Sequence, residues 1–282
     1  YWWELTKRLA ASEQQALPKE VDILIVGAGL TGLSAARTAA KAGQSVLVVD
    51  QHSPGFGASS RNGGMLGGGH KLSIAEMTAR YGEHIALGLL REAHLDSADF
   101  VRKVMTEEAI DCDYDQVGRF RGFWHTHEYE TTARELEQLQ KLLPIEASLL
   151  SQAQQHQAVA SDLYRGGVVY HQHAAINPAK WVFGLHRAAV DHGALIQGNT
   201  AVLGLQKSSH GYLVNTVRGM VKAGKVLLAT NGYTPPQMAA LHRRVFPVPS
   251  FIITTENLGR ERIKRLFPSD MMVVESRARH CY

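Results

Sequence analysis

The chain has 282 residues, 45% of them hydrophobic, enough for a sizeable core spread over two lobes. Its formal charge of +4 comes from scattered Lys and Arg, without the basic block that nucleic acid would call for. No apolar run reaches the ~18 residues of a membrane span, no signal peptide is visible, and the two cysteines, Cys112 and Cys281, form no C-x-x-C pair, which fits a reducing cytoplasm.

Residues 1–20 read as a lead-in helix with Tyr1, Trp2 and Trp3 at its start, polar from Ser12 to Gln15 and ended by Pro18. Val21 to Val26 form a short apolar, β-branched run that suits a buried parallel strand. Gly27, Gly29 and Gly32 follow in G-x-G-x-x-G spacing, and an Ala-rich helix runs from Leu33 to Ala42 before Gly43 stops it. A second strand, Ser45 to Val49, ends on Asp50. Alone, the glycine pattern is weak. Between a strand and a helix, with an acid about 20 residues on, it becomes a dinucleotide-binding fingerprint. Gly27 permits the tight turn, Gly29 the close approach of a pyrophosphate, and Gly32 the packing of helix on sheet. The helix N-terminus offers N–H groups and partial positive charge to phosphate, and Asp50 suits the ribose hydroxyls.

A second glycine-rich run, Gly55 to Gly69, means that the backbone again approaches something large and flat. From Ser73 to about Met105 apolar residues recur at helical spacing, and Ser73 with Glu76 makes a capping box. Asp113 to His125 holds a strand, with Val117, Phe120, Phe123 and Trp124 available for a wall. A charged helix runs from about Glu128 to Leu143 and stops at Pro144, and the polar segment Gln152 to Gln157 is too short to be disordered. After Pro178 a helix spans Ala179 to His192, closed by Gly193. Thr200 to Leu205 and Tyr212 to Val217 read as paired strands, Gly219 as part of the next turn, and Val226 to Ala229 as a strand. His125 and His127, His171 and His173, His52 and His70 lack the Cys or acid partners of a zinc site, so no metal is expected.

The segment Gly57-Ala58-Ser59-Ser60-Arg61-Asn62-Gly63-Gly64 resembles the G-A-S-x-R-N-G-G stretch of the FAD-dependent amine and amino-acid oxidases of the D-amino-acid oxidase superfamily. The likeness is to the gamma-glutamylputrescine oxidase-like branch. Ala175 to Lys180 with Gly193-Ala194, Ala223 to Tyr233, and Phe246 to Glu256 are similar to further passages of that family, the last to a strand leading into its substrate domain. The resemblance implies an α/β fold, with an α+β second lobe. A Rossmann-like FAD-binding domain (1–78 and 173–240) is interrupted by a substrate domain (79–172, resuming at 241–282). Family members run past 282 residues, so the chain is expected to stop inside the substrate domain.

Carried over residue by residue, the implied cofactor positions are Gly27, Gly29, Leu30, Thr31, Gly32, Asp50, Gln51, Ala58, Ser59, Asn62, Gly63, Gly64 and Met65. Val202 resembles the position facing the adenine, and Thr230 and Asn231 lie where a second cofactor strand arrives. Arg61 contacts phosphate, braces the loop or forms a structural salt bridge. No Cys or His precedes His70 in the flavin loop, which implies noncovalent FAD. Met65, His70 and Tyr282 are candidates for substrate contact, with simple packing as the competing reading for each. The implied reaction is hydride transfer from the α-carbon of an amine or amino acid to flavin N5, with O2 reoxidising the flavin to give hydrogen peroxide. The alternatives are a dehydrogenase of the same fold that passes electrons to a quinone or an electron-transfer protein, and a noncatalytic flavin-binding subunit. An NAD-dependent dehydrogenase is disfavoured by the second glycine run.

Overall fold

A computed structural model describes residues 1–6 and 15–277. Of the lead-in helix expected over residues 1–20, residues 7–14 lie outside the described residues, and the described residues on either side are not helical. Tyr1 to Thr6 form turns, with Glu4 N donating to Tyr1 O at 2.9 Å.

Strand β1 (Glu20–Val26) leads into helix α1 (Leu30–Lys41) and strand β2 (Val46–Val49). α1 starts one turn before the expected Leu33, because Gly32 is an interior helical residue rather than part of the loop. A short strand β3 (Met65–Leu66) precedes α2 (Ile74–Tyr81), α3 (Glu83–Arg91) and α4 (Ser97–Glu107), with a π-helical turn over Glu92–Asp96 joining the last two. The capping box forms at α2: Ser73 Oγ accepts from Glu76 N at 3.2 Å, and Glu76 Oε2 accepts from Ser73 N at 2.8 Å. Gly82 at φ +81° then separates α2 from α3.

Strand β4 (Arg119–Gly122) is followed by α5 (Thr126–Leu142), β5 (Ala147–Leu150), β6 (Gly167–Tyr170) and β7 (Ala174–Ala175). Helix α6 (Pro178–Asp191) is capped by Asn177, whose Oδ1 accepts from Ala179 N and Lys180 N. Then come β8 (Leu195–Gln197), β9 (Val202–Ser208), β10 (Gly211–Thr216), β11 (Gly219–Leu228), α7 (Ala239–His242), α8 (Arg260–Leu266) and β12 (Met272–Glu275). Gly219 is therefore the first residue of a long strand, not a turn residue. The strand expected over Phe246 to Glu256 does not form. Pro247 and Pro249 remove two ladder donors, and Phe246, Phe251 and Ile253 are 87%, 88% and 91% exposed.

The chain divides into two compact units. The first comprises Tyr1–Asn62, Glu108–Cys112 and Asn177–Ile253. Its sheet has the order β8-β2-β1-β11-β10-β9, parallel from β8 to β11 and antiparallel beyond. The run β8-β2-β1 is the third-second-first order of a dinucleotide-binding half. Side chains alternate across the pleat. Leu24, Val26, Leu47 and Val49 enter one apolar cluster with Val202, Val214 and Met238, whereas Ile25 lies beneath Gly32 of α1, beside which α6 packs. Glu108 is nearly buried in this unit, paired with Arg37 of α1 and 3.1 Å from His192 Nε2. Burial alone would push the Glu108 carboxyl up, but hydrogen bonds from Arg37 and His192 outweigh it and hold it below its ordinary value.

The second unit comprises Gly63–Glu107, Asp113–Ile176 and Thr254–Tyr282. It holds the sheet β12-β4-β6-β5, of which only β12 and β4 run parallel, and the small pair β3-β7. Phe120, Tyr164 and Val169 cluster on one side of this sheet, and Phe123, Leu136 and Val168 on the other. The units change at 62/63, 176/177 and 253/254, with residues 108–112 returning to the first unit, against expected boundaries at 78/79, 172/173 and 240/241. Among the described residues no helix is long and apolar enough to cross a membrane, and no group of His, Cys, Asp or Glu is placed to hold a metal ion.

Candidate functional site

In the first unit the glycine fingerprint lies at the carboxyl ends of β1 and β2, where open parallel sheets bind their ligands. Gly27 turns the chain at φ +109°, with its N–H donating to Val49 O at 2.8 Å. A Cβ there would stand 2.5 Å from Ala229 O, and one on Gly32 would stand 1.9 Å from Gly27 O. Both positions admit only glycine. Gly29 differs: its φ of −92° suits any residue, and a Cβ would meet only Ser59 Oγ, at 2.7 Å. Glycine at 29 therefore lets Ser59 approach the end of α1 closely rather than relieving the backbone.

Gly29 caps α1 without a side chain, and Ser59 supplies the missing acceptor, its Oγ taking Leu30 N–H at 3.0 Å. Ser59 sits in a 3-10 turn over Ala58–Ser60 that several bonds hold in place. Trp3 Nε1 donates to Ser60 Oγ at 2.8 Å, Asn62 Nδ2 to Ser59 O at 2.9 Å, and Trp2 Nε1 to Asn62 O at 2.8 Å. Arg61 is a brace in this arrangement. Its Nε donates to Gly57 O at 3.3 Å, and its guanidinium lies 4.6 Å from the Phe56 ring centre and 5.4 Å from that of Trp3.

Asp50 is fixed by its own backbone surroundings. Oδ2 accepts from Ala28 N at 2.8 Å and Oδ1 from His52 N at 2.9 Å. Each oxygen keeps a further lone pair for a ligand donor.

Between these groups lies a cavity of about 190 Å³. Gly27, Gly29, Asp50, Gln51, Ala58 and Ser59 line it from the fingerprint side. Val202, Thr230 and Asn231 line it too, the last in a left-handed conformation at φ +45°. Leu30, Thr31, Gly32, Arg61 and Asn62 belong to the same unit but do not line the cavity. Gly63, Gly64 and Met65 belong to the second unit, where Met65 is half-buried in β3 and pairs with Ala175. His70, also of that unit, is exposed, with Nε2 2.9 Å from Leu89 O. Tyr282 lies outside the described residues.

The cavity also uses residues outside the implied cofactor positions. Tyr233 closes against Gly57, where a Cβ would come within 3.1 Å of its ring. His52, its ring tilted against that of Phe56 with centres 4.4 Å apart, and Gln237 with Met238 also line it. Tyr233 could have been found, since it ends the Ala-Thr-Asn-Gly-Tyr stretch. Gln237 and Met238 follow two prolines and have no periodicity to betray them.

Comparison with known proteins gives a match over residues 22–282 to the DAO family, described as FAD dependent oxidoreductase. The gamma-glutamylputrescine oxidoreductase of Escherichia coli (strain K12) is 30% identical over 253 residues, covering 89% of this chain and 59% of that protein. Glycine oxidase from Geobacillus kaustophilus superposes with a TM-score of 0.62 at 20% identity, over 79% of this chain and 58% of that one. L-amino acid deaminase from Proteus vulgaris gives 0.67 at 19% identity, over 83% and 53%. These two structures share the fold. The chain thus spans about three-fifths of the length of the first relatives it matches.

Proposed function

The chain belongs to the FAD dependent oxidoreductase family, and from that premise we propose that it binds FAD noncovalently in the cavity of its first unit and takes part in oxidising an amine or amino acid. The observation that carries this reading is the cavity that Gly27, Gly29, Asp50 and Ser59 line at the carboxyl ends of β1 and β2. Nothing in the backbone requires glycine at 29, yet a side chain there would displace the Ser59 hydroxyl that lies against the end of α1. A pyrophosphate suits a cavity wall of that kind, beside a helix end of partial positive charge.

In this reading Gly27 and Gly29 admit the pyrophosphate and Gly32 seats α1 on the sheet. Ser59 Oγ, already directed at Leu30 N–H, supplies a hydroxyl beside the phosphate. Asp50, held by Ala28 and His52, takes the ribose hydroxyls, and Val202 gives the adenine an apolar wall. Arg61, Asn62, Trp2 and Trp3 hold the 3-10 turn in shape and do not touch the ligand. Gly63, Gly64 and Met65 extend the flavin loop, as the family resemblance implies. When bound there, FAD would supply the acceptor for a hydride from the amine-bearing carbon, with O2 as the final oxidant. The identity to gamma-glutamylputrescine oxidoreductase supports an amine or amino acid as substrate. The two isolated cysteines support a reducing, cytoplasmic setting.

The test is direct. The purified protein should be yellow, release its flavin to the supernatant on acid precipitation, and bleach anaerobically with an amine or amino acid. Oxygen uptake with peroxide release should follow. Absence of flavin that FAD cannot restore would sink the cofactor assignment, and colour left in the acid pellet the noncovalent one. Bleaching by hydroxy acids alone would sink the substrate class, and turnover with a quinone but not with O2 the oxidase reading.

A further inference from the structure

One wall of the cofactor cavity is a single stretch of chain, since Gly55, Phe56, Gly57, Ala58 and Ser59 all line it. No strand runs through this stretch, and its only regular structure is the 3-10 turn over Ala58–Ser60. Its shape therefore comes from what packs around it. At the Gly55 end the support is the body of the first unit. Gly55 N donates to Ala28 O at 2.9 Å, and a Cβ on Gly55 would stand 2.8 Å from the Val182 side chain of α6. At the other end, Ser60 to Asn62, support comes from the first residues of the chain.

Trp3 Nε1 donates to Ser60 Oγ and Trp2 Nε1 to Asn62 O, both at 2.8 Å. Ser60 is fully buried and passes the contact on, its own Oγ donating to Gly55 O at 2.5 Å. One hydroxyl thus closes the loop on itself and ties it to Trp3. The rings continue the path. Trp3 and Phe56 have centres 6.0 Å apart, the Arg61 guanidinium lies against both, and Phe56 meets His52. Phe56 and His52 line the cavity, so packed groups run without a break from Trp3 to the ligand space.

Residues 1–6 grip the loop with side chains, not with a ladder. Among the described residues their backbone bonds are internal, from Glu4 N and Leu5 N to Tyr1 O. Tyr1 and Leu5 are 60% and 52% exposed. A surface segment held in this way opens at lower free energy than a strand inside a sheet. Its opening would release Ser60 and Asn62 together, and with them the turn that carries Ser59.

We propose that residues 1–6 form a strap over the cofactor loop, with Trp2 and Trp3 as positioning residues whose indole N–H groups set how tightly the first unit retains FAD. The inference rests on the proposed function for the identity of the ligand. A loop already held in shape loses less freedom when the ligand arrives, so the strap raises affinity without touching it. By linkage, bound FAD must favour the closed strap by the same factor.

The test titrates FAD into the flavin-free form of the purified chain and of Trp2→Phe, Trp3→Phe and the double variant. A thermal melt of each flavin-free protein accompanies it. Phenylalanine keeps a ring and removes the N–H. Each single change should weaken FAD binding about three- to tenfold, the worth of one hydrogen bond, and the double change about tenfold or more. Flavin release should quicken, while the melts stay close to that of wild type. Ser60→Ala removes the acceptor, so adding Trp3→Phe to it should weaken FAD binding no further. An undiminished effect of Trp3→Phe in that background overturns the role given to its N–H. Folded phenylalanine variants that hold FAD as tightly as wild type overturn the strap. So does a double variant whose melt falls while its FAD affinity stays, because its tryptophans then serve the fold alone. Wild type that takes no FAD removes the proposed function and this inference with it, whereas FAD-binding wild type with indifferent variants removes the strap only.

Discussion

In the first unit the cavity is floored by main chain: a turn at Gly27, a bare backbone at Gly29, a helix end and one carboxylate pinned by two backbone N–H groups. In the second unit a cavity of about 860 Å³ is walled by side chains, with Arg119, Arg121 and Tyr170 on one sheet face and His94 from an irregular helical turn. The two constructions have different tolerances. A main-chain site depends on what is missing at a few positions, so a single added carbon can close it. A side-chain site depends on charges drawn out of water, so its cost is desolvation and its loss is graded.

The strongest way to break this contrast is Gly29→Val. The φ of Gly29 accommodates valine, and the nearest obstacle is the Ser59 hydroxyl, which can rotate away at the loss of its bond from Leu30 N–H, so the protein should fold. The added side chain would crowd the cavity wall beside the end of α1, and the purified variant should carry no flavin absorbance. Gly32→Val is the control for folding itself, since its Cβ would collide with Gly27 O, an atom with nowhere to go. Retained stoichiometric FAD in Gly29→Val would show that this wall does not hold the cofactor.

A second test concerns the ion cluster that ties residue 108 into the first unit. Glu108→Ala removes the nearly buried carboxylate that Arg37 and His192 share and should cost about 3 kcal/mol, read as a fall in the thermal midpoint. The sign of the pH dependence follows from the lowered Glu108 carboxyl. Its contribution is fully present above the ordinary glutamate value of 4.5 and is lost as pH falls through the depressed folded-state value. Wild type should therefore lose stability on acidification below that range more steeply than Glu108→Ala. Parallel acid melts of the two proteins would rule this out.

The same contrast explains what could be read in advance. Gly27, Gly29, Gly32 and Asp50 were legible because a main-chain site writes itself as glycine spacing, and the β1-α1-β2 unit followed from it. The hairpin of β9 and β10 was legible from alternation and a turn. In the second unit β5 and β6 are four residues each, too short for a period to register, and their pairing is decided by partners distant in sequence. The π-helical turn leaves no compositional mark. Arg119 and Arg121 read as ordinary charged residues until the fold puts both on one sheet face, Arg119 Nε there lacking an acceptor among the described residues. Phe246 to Glu256 misled in the opposite direction: it has strand composition, but its prolines and lack of a ladder partner keep it irregular.

The smallest effects compare how each unit starts a helix. Asn177 caps α6 in the first unit and is 1% exposed, its Oδ1 shared between Ala179 N at 3.1 Å and Lys180 N at 3.2 Å. Ser73 caps α2 in the second unit, in an exposed box where Glu76 answers both its N–H and its hydroxyl. An alanine at 177 leaves two N–H groups in a buried place with no water to replace the lost acceptor, whereas at 73 solvent can reach the freed Glu76 N–H. Asn177→Ala should therefore cost about 2 kcal/mol, the upper end for a cap, and Ser73→Ala about 0.5–1 kcal/mol. Chemical denaturation of both variants measures the difference. Equal costs would mean that burial of the cap does not set its worth here, and the order reversed would mean that the exposed box carries the second unit's helical layer.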